Sequence, residues 1–432
     1  METAKKLKVY GIELPVFLFF IVVIFASVKL DVIPNQMVGA IAVLFGIGIV
    51  LGEIGDHLPI WNSYCGGGAL LAFIGAGLLN YFKLLPECVT ANADGWINQY
   101  SFLNVFIAFL IVGSLIGMDR KVLIKSGSLF IPAILASIAG AALLGVLGGM
   151  IFGKSPLEMV TAYVLPIMGG GAGAGAIPMA QVYSDVTGES QASYLSFALA
   201  ILALGNIVAI LMGVVLDLVG KAFPKLAGND KLLRDESKIM KTEKDKKVEI
   251  TTDDIAASIF LTAGFFILGQ LTATKLLPTI AGVSIPNFAY MIIFAALANI
   301  FGLIPEHLRM GMARCQQFCG TKLVWVQMAG MGIAAIDFHT MLSVLSVSNL
   351  IIVICIVVGA VLGSAIFGWL VGFYPIESGV TAGLCMANMG GAGDLAVLGA
   401  ANRMSLMGYA QISSRIGGAI ILLIGSVVFS FL

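Results

Sequence analysis

Apolar runs of about twenty residues recur along the whole of this chain, and nothing else in the sequence limits its fold so strongly. A membrane-crossing helix needs about 20 mostly apolar residues. Runs of that kind occupy 11–30, 34–53, 60–82, 102–118 and 128–152, then 190–219, 255–274, 287–304, 318–336, 348–373 and 408–432. They are continuous rather than alternating, which excludes a membrane β-barrel. Of the 432 residues 59% are hydrophobic and only 11% are charged, against about 25% charged in an ordinary soluble domain. So apolar a surface would not stay in solution, which removes a soluble enzyme, a disordered regulator and a secreted disulfide scaffold. Lys and Arg number 24 and so do Asp and Glu, so there is no electrostatic case for nucleic acid. The expected fold is an all-α polytopic membrane protein with about 11 transmembrane helices.

Positive charge orients these spans. With the Lys5, Lys6 and Lys8 end in the cytoplasm, the inside connections hold Arg120, Lys121 and Lys125, the whole 221–254 segment, and Arg309 with Arg314. The outside connections are nearly free of bases, with no Lys or Arg from Leu84 to Asp119. The reading is a multi-pass membrane protein with a cytoplasmic N-terminus and an extracytoplasmic C-terminus. The first apolar run is too long for a signal-peptide core and no small-residue cleavage site follows it, so it is read as a retained span. Segment 221–254 alternates in sign and is expected to be a solvated linker between two halves. The six cysteines are scattered and lack the partners of a zinc site.

One internal repeat is informative. Gly170-Gly171-Ala172-Gly173 returns as Gly390-Gly391-Ala392-Gly393, 220 positions later, each inside a Gly-rich apolar segment (157–181 and 375–401). The predicted topology brings the first segment in from outside and the second from inside. That describes two inverted repeats, 34–220 and 255–432, after an extra helix in 1–33, each repeat holding a re-entrant helical hairpin. A helix break inside a membrane frees backbone groups that lipid cannot satisfy, so it must be buried or line a cavity. Glycine tolerates such a break and lets a ligand approach the backbone. Two tips would aim half-helix N-termini, with their partial positive charge, at one midplane site. Close helix packing through small residues is the plainer alternative, but packing does not require matched placement in opposite halves.

Charges within the apolar segments sharpen this reading. No Lys or Arg occurs from Leu323 to Asn402, and Arg415 lies two turns into the last span. A guanidinium at that depth is costly unless paired or facing water. It can receive a carboxylate bidentately or pair with Asp394, the acid that ends the second tip. Asp394 itself can pair with Arg415, hold the tip, or bind a cation or proton. Asn388, Ser413 and Ser414, with broken-helix carbonyls at Cys385 and Met386, are hard oxygen donors of the kind sodium sites use, although Ser often just bonds back along its helix. Arg403 is expected to snorkel to headgroups. The three histidines, His57, His307 and His339, fall in predicted loops, and no HExxH or nucleophile elbow is present, so no enzymatic activity and no cofactor is expected.

The chain resembles the bacterial 2-hydroxycarboxylate transporter family, which includes sodium–citrate symporters and malate carriers. The resemblance rests on Met168-Gly-Gly-Gly-Ala-Gly-Ala-Gly-Ala-Ile-Pro178, on Tyr374-Pro-Ile-Glu-Ser-Gly-Val-Thr-Ala-Gly-Leu-Cys-Met-Ala-Asn388, on Gly390-Gly-Ala-Gly-Asp394 and on Ala410-Gln-Ile-Ser-Ser-Arg415-Ile-Gly-Gly418. It implies a homodimeric secondary transporter with an elevator mechanism, in which a domain carrying both hairpins slides past a scaffold. It further implies that Arg415 binds a substrate carboxylate, with hairpin-tip backbone at Gly173 and Gly391. Sodium, the coupling ion, would sit near Asn388, Ser414, Cys385 and Met386 and the first tip at Gly169, with Asp394 and Ser413 structural or coupling. The sodium–citrate members carry a second substrate arginine where this chain has Met389. They have Ser at Ala392, Asn at Ala172 and a citrate-binding Tyr at Ala335. A less polar pocket with one fewer cation fits a dicarboxylate such as malate better than citrate. Proton symport or exchange of citrate, malate or lactate is the rival within transport. A channel or membrane enzyme fits less well.

Overall fold

The computed structural model describes residues 8–59, 61–62, 67–118, 120–229, 231–234, 249–277, 279–280, 283–284, 287–335, 338–390 and 392–432. It is nearly all helix. The only sheet among the described residues consists of two small antiparallel ribbons, Lys8–Val9 with Ile12–Glu13 and Thr279–Ile280 with Val283–Ser284. Six described helices are long and apolar enough to cross a membrane: Met37–His57, Phe130–Ile151, Gln191–Ala222, Thr252–Leu276, Val347–Leu370 and Met407–Phe431. Leu14–Lys29, Gly67–Tyr81, Pro156–Ile167 and Asn287–Ile300 are shorter apolar helices.

Two expected boundaries shift for stated reasons. Within the run at 60–82 the described apolar helix is Gly67–Tyr81, and it starts at a glycine with φ +61. The run at 318–336 is preceded by the helix Glu306–Phe318, which takes in Arg309 and Arg314. Arg309 donates to the carbonyls of Ile116 (3.1 Å) and Met118 (2.7 Å), satisfying acceptors that the end of the helix Phe102–Ile116 would otherwise leave bare.

The chain forms two compact units. One comprises Met1–Phe106 and Thr321–Ile336. In it the helices Met37–His57, Gly67–Tyr81 and Val324–Ala335 approach through glycine: a β-carbon on Gly332 would lie 2.1 Å from the Phe73 carbonyl oxygen, and one on Gly52 2.2 Å from the Trp325 ring. Trp96 Nε1 donates to the buried Gln327 Oε1 at 3.0 Å.

The second unit comprises Ile107–Gly320 and Asp337–Leu432 and holds both Gly-rich segments. Its centre is the helix pair Arg120–Ile151 and Val347–Leu370. They meet reciprocally: a β-carbon on Gly140 would fall 2.2 Å from the Gly359 carbonyl oxygen, and one on Gly359 2.2 Å from that of Gly140. Each helix leads into one glycine-rich segment. Both segments are helix–break–helix. The first runs through Pro156–Glu158, Met159–Val164 and Leu165–Ile167, breaks, and resumes at Ala172–Ala176 and Ile177–Thr187. The second runs through Pro375–Ser378 and Gly379–Leu384, breaks, and resumes at Ala392–Ala400. The π-helical turns Met159–Val164 and Gly379–Leu384 stand as far apart in sequence as Gly170 and Gly390 do. Such turns concentrate at functional sites.

The 221–254 segment departs from expectation at its start. Leu232 and Leu233 are buried, Leu233 bridges to Phe373, and Tyr374 N donates to the Leu232 carbonyl at 2.9 Å. This stretch carries the two leucines that pay for its docking, whereas residues 235–248, the charged remainder, lie outside the described residues.

Candidate functional site

The two breaks in the second unit face one another. Gly170 (φ +73) and Gly171 (φ +119) at the first tip hold dihedrals that L side chains rarely adopt. A β-carbon on Gly171 would lie 2.8 Å from the Met389 carbonyl oxygen, and one on Gly390 2.9 Å from that of Gly170. A β-carbon on Gly170 would lie 2.3 Å from the Ser414 carbonyl oxygen. Glycine is thus demanded both by dihedral and by the approach of three backbones. Ser414 itself belongs to a π-helical turn, Ser413–Gly417, in the last long helix.

Around this junction the polar side chains are buried and mutually bonded. Asn388 Nδ2 donates to Asp394 Oδ1 at 3.0 Å, and Asn388 Oδ1 accepts from Gly390 N at 2.6 Å. Ser414 Oγ lies 3.1 Å and 3.0 Å from the two Asp394 oxygens and 3.1 Å from the Cys385 carbonyl oxygen. One hydroxyl proton meets three acceptors, so the cluster is richer in oxygen than in donors. Asp394 and Asn388 are 1% and 0% exposed, which makes a bare excess of acceptors costly.

Arg415 is not part of that cluster. Among the described residues it donates no hydrogen bond and has no carboxylate within ion-pairing distance; Asp394 is engaged by Asn388 and Ser414 instead. Its half-buried side chain borders a small cavity with Leu110, Ile111, Ser114, Leu115, Ala419 and Leu422. Leu110 also touches the first tip: its Cδ1 would lie 3.7 Å from a β-carbon on Gly173. The arm that starts at Ala172 has first-turn N–H groups without partners in its own helix, and Arg415 and Gly173 therefore flank one leucine with the donor chemistry of an anion site.

The remaining sequence candidates take these places. Met389 N donates to Asn206 Oδ1 at 3.1 Å. Gly169 lies inside the first hairpin, where its carbonyl oxygen would be 2.2 Å from a β-carbon on Gly175. Met386 is fully buried, its Sδ under Gly417. Ser413 Oγ donates to the Thr381 carbonyl at 2.7 Å, a bond to the hairpin arm rather than to the cluster. Ala172 is buried at the first tip. Ala392 begins the second arm, with its side chain outside the described residues, and Gly391 lies outside them altogether. Arg403 corrects its expectation. It does not snorkel; it is 5% exposed and paired with Glu377 (2.9 Å) and Asp217 (3.1 Å), carboxylates that sequence separation conceals.

Asn206 went unread in the sequence. It is 1% exposed in the middle of the Gln191–Ala222 helix, and an amide within an otherwise apolar span is the signal that marks it.

The model of the 2-hydroxycarboxylate transporter family matches residues 9–427. The citrate/sodium symporter of Salmonella typhimurium is 44% identical over 428 residues, covering 99% of this chain and 96% of that protein. The citrate/sodium symporter of Klebsiella pneumoniae is 42% identical over 426 residues (98% and 95%). A malate transporter of Lactococcus lactis is 31% identical over 438 residues, the full length of both. This chain is therefore a multi-pass membrane transporter, not an enzyme, and it belongs to the 2-hydroxycarboxylate transporter family.

Proposed function

We propose that this protein is a sodium-coupled symporter of a 2-hydroxydicarboxylate, with malate as its substrate, working as a homodimer by an elevator mechanism. The observation that carries the reading is the pairing of two unlike sites at one junction: a guanidinium that makes no ion pair within 4 Å among the described residues and shares Leu110 with the first tip, and an acceptor-rich pocket of Asp394, Ser414 and the Cys385 carbonyl. The first suits a carboxylate. The second suits a hard monovalent cation, whose charge would relieve the surplus of oxygen. Because the Ser414 backbone touches the first tip while its side chain touches Asp394 of the second, occupancy of the cation pocket would tighten the frame around the anion. That linkage is what symport requires.

A second reading, citrate as the substrate, is favoured by the names of the relatives at 42–44% identity. Against it stand the apolar Met389 and the leucines around Arg415. A third carboxylate left without a donor costs about 1–3 kcal/mol.

The deciding experiment is uptake of labelled malate into proteoliposomes of the purified chain, with and without an inward sodium gradient at fixed pH. Sodium-dependent accumulation, outcompeted by malate more strongly than by citrate, is expected. Accumulation driven equally by a proton gradient overturns the coupling ion, and micromolar citrate transport overturns the substrate.

A further inference from the structure

The second hairpin is fastened at both feet by a buried ion-pair network that plays no part in the site above. The helix Ala392–Ala400 ends when Asn402 turns left-handed (φ +51) and Arg403 N closes on the Leu398 carbonyl at 2.8 Å. Asn is among the residues that tolerate that turn, and it throws Arg403 back into the protein. There Arg403 Nε donates to Glu377 Oε1 at 2.9 Å, on the entry foot of the same hairpin, and Nη1 donates to Asp217 Oδ1 at 3.1 Å, on the Gln191–Ala222 helix. The second oxygen of each carboxylate is also used. Gly228 N donates to Glu377 Oε2 at 2.8 Å, while Asn402 Nδ2 (2.9 Å) and Lys221 Nζ (2.6 Å) donate to Asp217 Oδ2. Gly220, one turn from Asp217, leaves the room: a β-carbon there would lie 3.1 Å from Arg403 Nη2.

The first hairpin offers the contrast. Its entry foot carries Glu158 in a matching Pro-x-Glu, but among the described residues the one ion pair of Glu158 is with Lys154, Glu158 being exposed at 45% and Lys154 partly so at 27%. An exposed pair of this kind holds little, whereas a buried, fully bonded one yields only as a unit.

We propose that Arg403 is a positioning residue that latches the entry foot of the second hairpin to its exit foot and to the Gln191–Ala222 helix, keeping Cys385 and Asp394 in register with Ser414. The second hairpin is then the tightly held gate and the first the one that opens more readily. The consequence for transport rests on the function proposed above, but the latch itself can be read without transport.

Cys385 is a native probe of the tip, fully buried in the closed arrangement. In the full-length chain with Cys385 as sole cysteine, alkylation by a small membrane-permeant maleimide is followed at fixed pH in detergent. Arg403→Gln is expected to speed alkylation at least tenfold, Arg403→Lys and Asp217→Asn less, and Lys154→Gln not at all. Unchanged rates in monodisperse Arg403→Gln overturn the latch, and so does equal acceleration in Lys154→Gln, which would mean general loosening. If Arg403→Gln does not fold, Asp217→Asn and Arg403→Lys decide by the same criterion. Accelerated alkylation in a wild-type background whose uptake ignores sodium would keep the latch and sink the proposed coupling.

Discussion

The hydroxyl of Ser414 stands 3.0 Å from Asp394 Oδ2 and 3.1 Å from the Cys385 carbonyl oxygen, joining the last long helix to both sides of the second break. The backbone carbonyl of the same Ser414 is what a side chain at Gly170 would strike. One residue therefore touches both tips, by different atoms.

Removing that hydroxyl should weaken the cation pocket without emptying it. One charge-assisted contact is worth about 1.5–3 kcal/mol, so Ser414→Ala is expected to raise the half-saturating sodium concentration by about tenfold or more. Asp394→Asn, which deletes the pocket's only charge, should abolish sodium dependence. Both are read from initial uptake rates across a sodium titration.

Arg415 is proposed to act on the other ligand. Truncating one partner of a buried charge pair costs about 2–5 kcal/mol, so Arg415→Ala is expected to lose malate affinity by at least about thirtyfold. Arg415→Lys should recover part of it, since the point charge remains but the bidentate fork does not. Isothermal titration in saturating sodium measures this directly.

Gly170→Ala should stop transport and also lower stability. A left-handed Ala costs about 1–2 kcal/mol, and its β-carbon would push on the Ser414 backbone 2.3 Å away. Thermal unfolding in detergent is expected to fall, and sodium-dependent uptake per folded protein to drop below one tenth.

Helix packing gives a stability pair. Gly359→Val would drive side-chain atoms into the Gly140 carbonyl, 2.2 Å from a β-carbon, and overpacking costs at least about 1–3 kcal/mol. Gly264 has nothing within 4 Å of its would-be β-carbon, so Gly264→Ala should leave stability unchanged or raise it by up to about 1 kcal/mol. Thermal unfolding in detergent would show a clear fall for the first and none for the second.

Met389→Arg tests substrate choice. It adds a cation at the second tip, on the very residue whose carbonyl faces Gly171. Citrate is expected to gain as an inhibitor of malate uptake, and an unchanged citrate-to-malate ratio would detach Met389 from specificity.

Much of this protein was legible in its sequence. Long apolar runs leave the backbone no choice but helix in lipid, and two matched glycine clusters, 170–173 and 390–393, mark the two hairpin tips. Asn388, Asp394, Ser414 and Arg415 were readable because polar groups are conspicuous where apolar ones surround them. Arg403 misled for the same reason: its depth could not be judged without Asp217 and Glu377, which lie 186 and 26 residues away in the chain. Asn206 was passed over because one amide within an apolar helix gives no hint of what it faces.

The sequence by itself determined that the chain is a helical membrane protein with two glycine-tipped breaks, because hydropathy and backbone freedom are local properties of residues. Only the tertiary structure decided that Asp394 is hydrogen-bonded by Ser414 and Asn388 and not by Arg415, and that Arg403 is locked instead of exposed. Which charges meet depends on where distant helices lie against each other, and the strength of each meeting depends on how completely water is excluded from it.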